Sequence, residues 1–284
     1  MSSPVFRPGN TALITGGASG IGRALARKCR SHGMRVLVAD WNDALLAQLA
    51  ADDDDDNIIA FKMDVGKLED WAQLKSKVDK VFGGKEFHPT CTINLLALNA
   101  GVGTKSAWDD AASFHTVLNT NLFGVINGIS TFLPAIKATT QPSAVVITGS
   151  KQGITNPPGN PAYNASKAAV KALAEHLSFD LRGEAHISMH LLVPGWTYTG
   201  MTGGGNARTK PEGAWTPEQA VDYLQDKMGQ GKFYVVCPDN DVSEETDRKR
   251  MLWSVGDVVE GRPPLTRWRD EWKDTAQTWM DNQK

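Results

Sequence analysis

Tyr163 and Lys167 stand four residues apart in the run Tyr163-Asn164-Ala165-Ser166-Lys167, inside a stretch of helical pattern from about Ala162 to Arg182. Both side chains then project from one helix face, with Cβ atoms about 5–6 Å apart. A free tyrosine has a pKa of about 10, and an ammonium held close favours the phenolate. The pair predicts a phenol that exchanges a proton with a bound oxygen near neutral pH.

A second constellation is Thr15-Gly16-Gly17-Ala18-Ser19-Gly20-Ile21-Gly22, placed between a strand pattern and a helix pattern. There a phosphate needs unshielded backbone N–H groups and the positive end of a helix. Glycine removes the Cβ that would hold a pyrophosphate away. The spacing is Gly-x-x-x-Gly-x-Gly and departs from the general Gly-x-Gly-x-x-Gly, so its weight comes from its strand–turn–helix position. Asp40 ends the second strand, where a carboxylate can accept from both ribose hydroxyls of an adenosine and repel a 2′-phosphate. No Arg or Lys occupies Ala18-Ser19 or Trp41-Asn42. The preference read from these residues is NAD(H) over NADP(H), although in isolation Asp40 also reads as a helix N-cap.

The elements that must position these groups alternate along the chain. Strand patterns fall at Thr11–Thr15, Arg35–Ala39, Ile58–Lys62, Thr92–Leu98, Ala144–Thr148, Ile187–Val193 and Phe233–Cys237. Helix patterns fall at Gly20–His32, Lys67–Phe82, Ala112–Lys137, Ala162–Arg182 and from Thr216-Pro217 onward. Such alternation predicts an α/β domain with a parallel sheet covered on both faces. The domain is expected over residues 1–238, with a Gly/Thr-rich lid at about 199–230 and a C-terminal extension over 239–284 with helical stretches around Ser243–Trp253 and Trp268–Met280.

Four motifs in register, Thr15 to Gly22, Asn99-Ala100-Gly101, Tyr163 to Lys167 and Pro194-Gly195, resemble the short-chain dehydrogenase/reductase family, classical type, through about residue 200. The resemblance implies a Rossmann-like doubly wound parallel sheet of about seven strands and hydride transfer between a nicotinamide and a secondary alcohol or carbonyl. It implies Tyr163 as acid/base, Ser150, thirteen residues earlier, polarising the substrate oxygen, and Lys167 holding the nicotinamide ribose. It also gives Asn121 a place in a long helix, supporting a water that leads from the lysine to solvent. The further cofactor contacts it implies are Gly16, Ser19, Gly20, Ile21, Gly22, Asp40, Asp64, Val65, Asn99, Gly101, Pro194, Thr197 and Thr199, besides Tyr163 and Lys167.

Departures are Leu98, where the family often has a first Asn, and Phe233-Tyr234-Val235-Val236-Cys237-Pro238-Asp239, which lacks the common Asp-Gly-Gly ending. The altered ending weakens the usual tetramer, while the helices bearing Asn121 and Tyr163 keep one interface. The expectation is a homodimer or homotetramer. Trp196, Tyr198 and Trp215 around the lid, with Lys151 opposite, are candidate substrate-lining residues.

The 30 basic and 32 acidic residues give a net charge of -2. No basic footprint for nucleic acid or an anionic membrane follows, and the expected partner is a small molecule. A short polar N-terminus and the lack of an 18-residue apolar run predict no membrane segment. Cys29, Cys91 and Cys237 are widely spaced, which suits a reducing, cytoplasmic setting. No metal is expected: the six histidines are scattered, His186 and His190 sit at a strand with poor ligand geometry, and Asp52–Asp56 reads as a solvated loop. Two other functions fit the same cofactor fold: a catalytically silent NAD-binding regulatory or scaffolding protein, and a non-redox isomerase or lyase that retains NAD.

Overall fold

The computed structural model describes residues 3–51, 58–83, 91–203 and 209–283. Asp52–Asp56, His88, Gly204 and Gly205 lie outside them. Seven parallel strands form one sheet in the order β3-β2-β1-β4-β5-β6-β7. They are β1 Thr11–Thr15, β2 Arg35–Asp40, β3 Ile58–Lys62, β4 Leu95–Leu98, β5 Ser143–Thr148, β6 Ile187–Val193 and β7 Tyr234–Val236. The central strands carry apolar side chains on both faces, and β1 and β4 are buried throughout, as a sheet covered on both sides requires.

One face is covered by α1 Gly20–Ser31, α2 Asp43–Ala51 and α8 Pro217–Gly229, through Leu25, Cys29, Leu46, Leu49, Val221 and Leu224. The other is covered by α3 Leu68–Phe82, α5 Gly124–Ala138 and α7 Pro161–Asp180, through Trp71, Leu74, Phe132, Ile136, Val170 and Ala174. Trp71 anchors this second layer, its indole donating to the Val65 carbonyl at 2.7 Å and its ring edge-on to Phe132. The strand order reverses between β1 and β4, and that switch point opens the crevice in which ligands of doubly wound sheets bind.

Two sequence readings change, and the helix expected from Thr216-Pro217 is present. The long helix expected over Ala112–Lys137 is α4 Ala111–Leu118, a π-helical turn Asn119–Phe123, and then α5. Strand pairing at β4 and β7 is shorter than the apolar runs that contain them. Within the segment read as a lid, residues 217–229 form α8, whose Thr216–Gln219 capping box starts a helix packed against α1. The C-terminal residues form α9 Glu244–Val259, two 3₁₀ turns and α10 Lys273–Asn282. They pack around Trp253, whose indole donates to Thr266 and stands edge-on to Trp279.

Candidate active site

A cleft of about 1130 Å³ runs along the carboxyl ends of the strands. One end of it is the turn between β1 and α1. Gly16 and Gly20 have φ of +64° and +51°, a conformation open to glycine. A Cβ at Gly22 would lie 2.2 Å from the Gly16 carbonyl oxygen, so glycine is required for the helix to start this close to the turn. Gly16, Ser19, Gly20 and Ile21 face the cleft, while Gly22 sits behind them.

Asp40 closes the cleft beside this turn. Its carboxylate is buried, accepting from Ala18 N–H and from Asn42 N–H, each at 3.1 Å. The helix cap that follows is Asn42, which accepts from Leu45 N–H at 3.1 Å. Asp40 is therefore tied to the glycine turn and does not cap the next helix. Asp64 and Val65 line the same end, although Asp64 also accepts from Gly66 N–H at 2.9 Å. Trp41, 70% exposed and on the cleft wall, belongs to this end too. Its exposure beside Asp40 marks it, but an aromatic after a strand carries no such signal in the sequence.

Asn99 joins three strands: its amide donates to the Thr15 and Gly16 carbonyls at 3.3 and 3.2 Å and accepts from the Thr148 hydroxyl at 3.0 Å. Thr15, which opens the glycine motif, and Thr148, not singled out in the sequence because threonine is an ordinary strand residue, thus hold the cleft floor. Gly101 lies where a Cβ would meet Asn121 Oδ1 at 3.3 Å and Lys167 Nζ at 3.6 Å. Glycine there leaves the floor open between these two groups.

Asn121 is fully buried in the π turn, a helix irregularity frequent at functional sites. It accepts from Val102 N–H at 2.8 Å and donates to the Val102 carbonyl at 3.0 Å and to Ser166 Oγ at 3.1 Å. Ser166 in turn donates to the Tyr163 carbonyl at 2.7 Å. Asn121 thereby ties the loop after β4 to the first turns of α7.

Tyr163 and Lys167 lie on α7, which starts at Pro161, and Ser150 follows β5 and lines the same cleft. Lys167 donates to the Thr148 carbonyl at 2.8 Å, and its Nζ is 5.8 Å from the Tyr163 ring centroid. Burial lowers the Lys167 ammonium to about 8. The Tyr163 phenol stands above its ordinary value because burial outweighs the Ser150 hydrogen bond. With the Lys167 ammonium turned to Thr148, the larger influence on the phenol is desolvation.

Pro194, Thr197 and Thr199 also line the cleft, and Thr199 covers Gly20 with its methyl group. Of the candidate substrate-lining residues, Lys151 and Trp196 face the cleft. Tyr198 instead lines a smaller pocket beside Arg23 and Arg27. Trp215 packs edge-on to Tyr223 in the core layer. Tyr198 falls between Thr197 and Thr199, which line the cleft, and Trp215 is held in the α8 layer by Tyr223. No group of three His, Cys, Asp or Glu suited to a metal occurs among the described residues, and no described helix is long and apolar enough to cross a membrane. The three cysteines are buried free thiols.

The short chain dehydrogenase family model matches residues 10–210. The chain belongs to the short-chain dehydrogenase/reductase family. It is 34% identical over 185 residues to a cis-2,3-dihydrobiphenyl-2,3-diol dehydrogenase of Paraburkholderia xenovorans (strain LB400), covering 61% of each chain. Against a 1-deoxy-11-beta-hydroxypentalenate dehydrogenase of Streptomyces avermitilis it is 30% identical over 254 residues, 86% of this chain and 90% of the relative. A short chain dehydrogenase/reductase from Burkholderia phymatum, solved in complex with NAD, superposes with a TM-score of 0.78 at 26% identity, covering 90% of this chain and 96% of that one.

Proposed function

We propose that this protein is an NAD(H)-dependent oxidoreductase that interconverts a secondary alcohol and a ketone, acting on CH–OH with NAD+ as acceptor. The observation that carries the reading is the pairing of Asp40 at the adenosine end of one cleft with Ser150, Tyr163 and Lys167 at its far end. The Asp40 carboxylate has lone pairs beyond those used by Ala18 and Asn42. These suit two ribose hydroxyls and oppose a 2′-phosphate.

In the oxidative direction the Ser150 hydroxyl holds the substrate oxygen and Tyr163, as phenolate, removes its proton. The bound nicotinamide supplies the hydride acceptor. Lys167 holds the ribose, and its positive charge together with that of the oxidised cofactor brings the raised phenol down. Asn121 keeps the loop after β4 and the start of α7 in register. In the reductive direction Tyr163 returns the proton to the oxygen.

The substrate is a neutral, ring-bearing secondary alcohol or ketone. Trp196 and Met201 supply exposed apolar surface in the cleft, and the Lys151 ammonium is engaged by two carboxylates. The substrate named for the dihydrodiol relative is itself a ring-bearing secondary alcohol. Phe123 and Phe179, exposed on the helices bearing Asn121 and Tyr163, support a homodimer through that face. The buried free thiols suit the cytoplasm.

A fluorescence titration with NADH and, separately, NADPH, using the nine tryptophans as energy donors, tests the cofactor reading without a substrate. Tighter NADH binding is expected, and NADPH preference overturns it.

A further inference from the structure

Lys151 follows Ser150 directly and opens the short helix α6 Gln152–Thr155, which packs on α7 with no room for a side chain at Gly153. Its ammonium is held 2.5 Å from Asp247 Oδ2 and 3.5 Å from Asp239 Oδ2, two carboxylates that do not line the cleft. The Asp247 contact is a close ion pair and not an aligned hydrogen bond. All three side chains are largely buried, at 15% exposure for Lys151, 5% for Asp239 and 4% for Asp247.

Asp239 does a second job. The same Oδ2 accepts from Trp196 N–H at 2.9 Å, while Oδ1 accepts from Val242 N–H at 2.8 Å and Asp241 N–H at 3.1 Å. Gly195 passes through the middle of the cluster: a Cβ there would lie 2.7 Å from Asp239 Oδ2 and 2.9 Å from Lys151 Nζ. The cluster therefore joins three segments distant in sequence: the end of β5 with Ser150, the wall after β6 with Trp196, and the first turn of α9.

We propose that the C-terminal segment is part of the active-site scaffold, with Asp247 on α9 acting through Lys151 and Asp239 to fix Trp196 and Ser150 relative to each other. Lys151 is thus a positioning residue and not a substrate-binding cation. The inference rests on the reading that Ser150 and Trp196 face the substrate.

Asp247→Asn removes one charge and leaves Lys151 to Asp239 alone, where it competes with Trp196 N–H for the same oxygen. Chain labelled with 5-fluorotryptophan, with signals assigned by Trp196→Phe and Trp253→Phe, reports the outcome by fluorine NMR. The expected result is a shifted or broadened Trp196 signal with an unmoved Trp253 signal, which shows α9 still packed. Lys151→Met approaches the cluster from the cleft side and is expected to displace Trp196 in the same way, and the double variant is expected to displace it no further.

On an alcohol that wild type oxidises, kcat in Asp247→Asn is expected to fall roughly tenfold to a hundredfold, with the NADH dissociation constant within about twofold of wild type. An unmoved Trp196 signal in whichever variant folds overturns the proposal. So does a Trp253 signal that moves together with Trp196, because the contact would then only hold the tail. The NMR arm needs no substrate, so a wild type that oxidises no alcohol counts against the proposed function and leaves this test intact.

Discussion

Replacing Asp40 by alanine tests the cofactor reading at one atom group. The buried carboxylate is fixed by Ala18 and Asn42 N–H groups at 3.1 Å, so it is already oriented when a ribose arrives. Hydrogen bonds to a charged acceptor contribute about 1.5–3 kcal/mol each, and two are available to the ribose hydroxyls. Allowing water in Asp40→Ala to recover about half, the loss is roughly 1.5–3 kcal/mol, or about ten- to a hundredfold in NADH affinity. NADPH moves the other way. A carboxylate and a phosphate about 4 Å apart repel by about 4 kcal/mol at an effective dielectric of 20, and less in an open cleft, so its removal strengthens NADPH about tenfold. The ratio of the two dissociation constants should shift by roughly a hundred- to a thousandfold, read by energy-transfer titration at fixed ionic strength because the repulsion is screened. A ratio within threefold of wild type would refute the placement of Asp40 at the ribose.

Two further outcomes follow from the far end of the cleft. Burial holds Lys167 at about 8 against its ordinary 10.5, so between those values the unfolded chain binds more protons than the folded one and stability gains with rising pH. The three buried thiols, held above their ordinary value by burial, pull the other way but are common to both chains, so urea midpoints at pH 8 and 10 should differ between wild type and Lys167→Met by this gain, at most about 3 kcal/mol; equal slopes contradict the burial argument. Asn121→Leu strands the Val102 N–H and carbonyl and frees Ser166, and should cost about 3–5 kcal/mol in denaturant unfolding. A variant as stable as wild type would mean that the π turn does not depend on these bonds.

Much of this was legible in the sequence because the chemistry is local. The glycine turn lies between β1 and α1, Asp40 ends β2, and Tyr163 and Lys167 share a helix face, so periodicity and spacing locate each of them. The π turn was not legible, since Asn119–Phe123 continues a helical pattern and the extra residue per turn is stabilised by the Asn121 amide reaching across to Val102. Tyr198 and Trp215 were misplaced because the pocket beside Arg23 and Arg27 and the packing on Tyr223 are tertiary contacts that no local pattern announces. Lys151 reads from sequence as a cation beside a serine. Its partners Asp239 and Asp247 come from the far end of the chain, and no local rule connects them.

The central claim, proton transfer by Tyr163 with NAD+ as acceptor, is tested most directly by following NADH formation from a panel of ring-bearing secondary alcohols with wild type and Tyr163→Phe. The account predicts that wild type forms NADH and that the variant loses roughly a hundredfold or more of kcat while still binding NADH. Comparable turnover by Tyr163→Phe would contradict it.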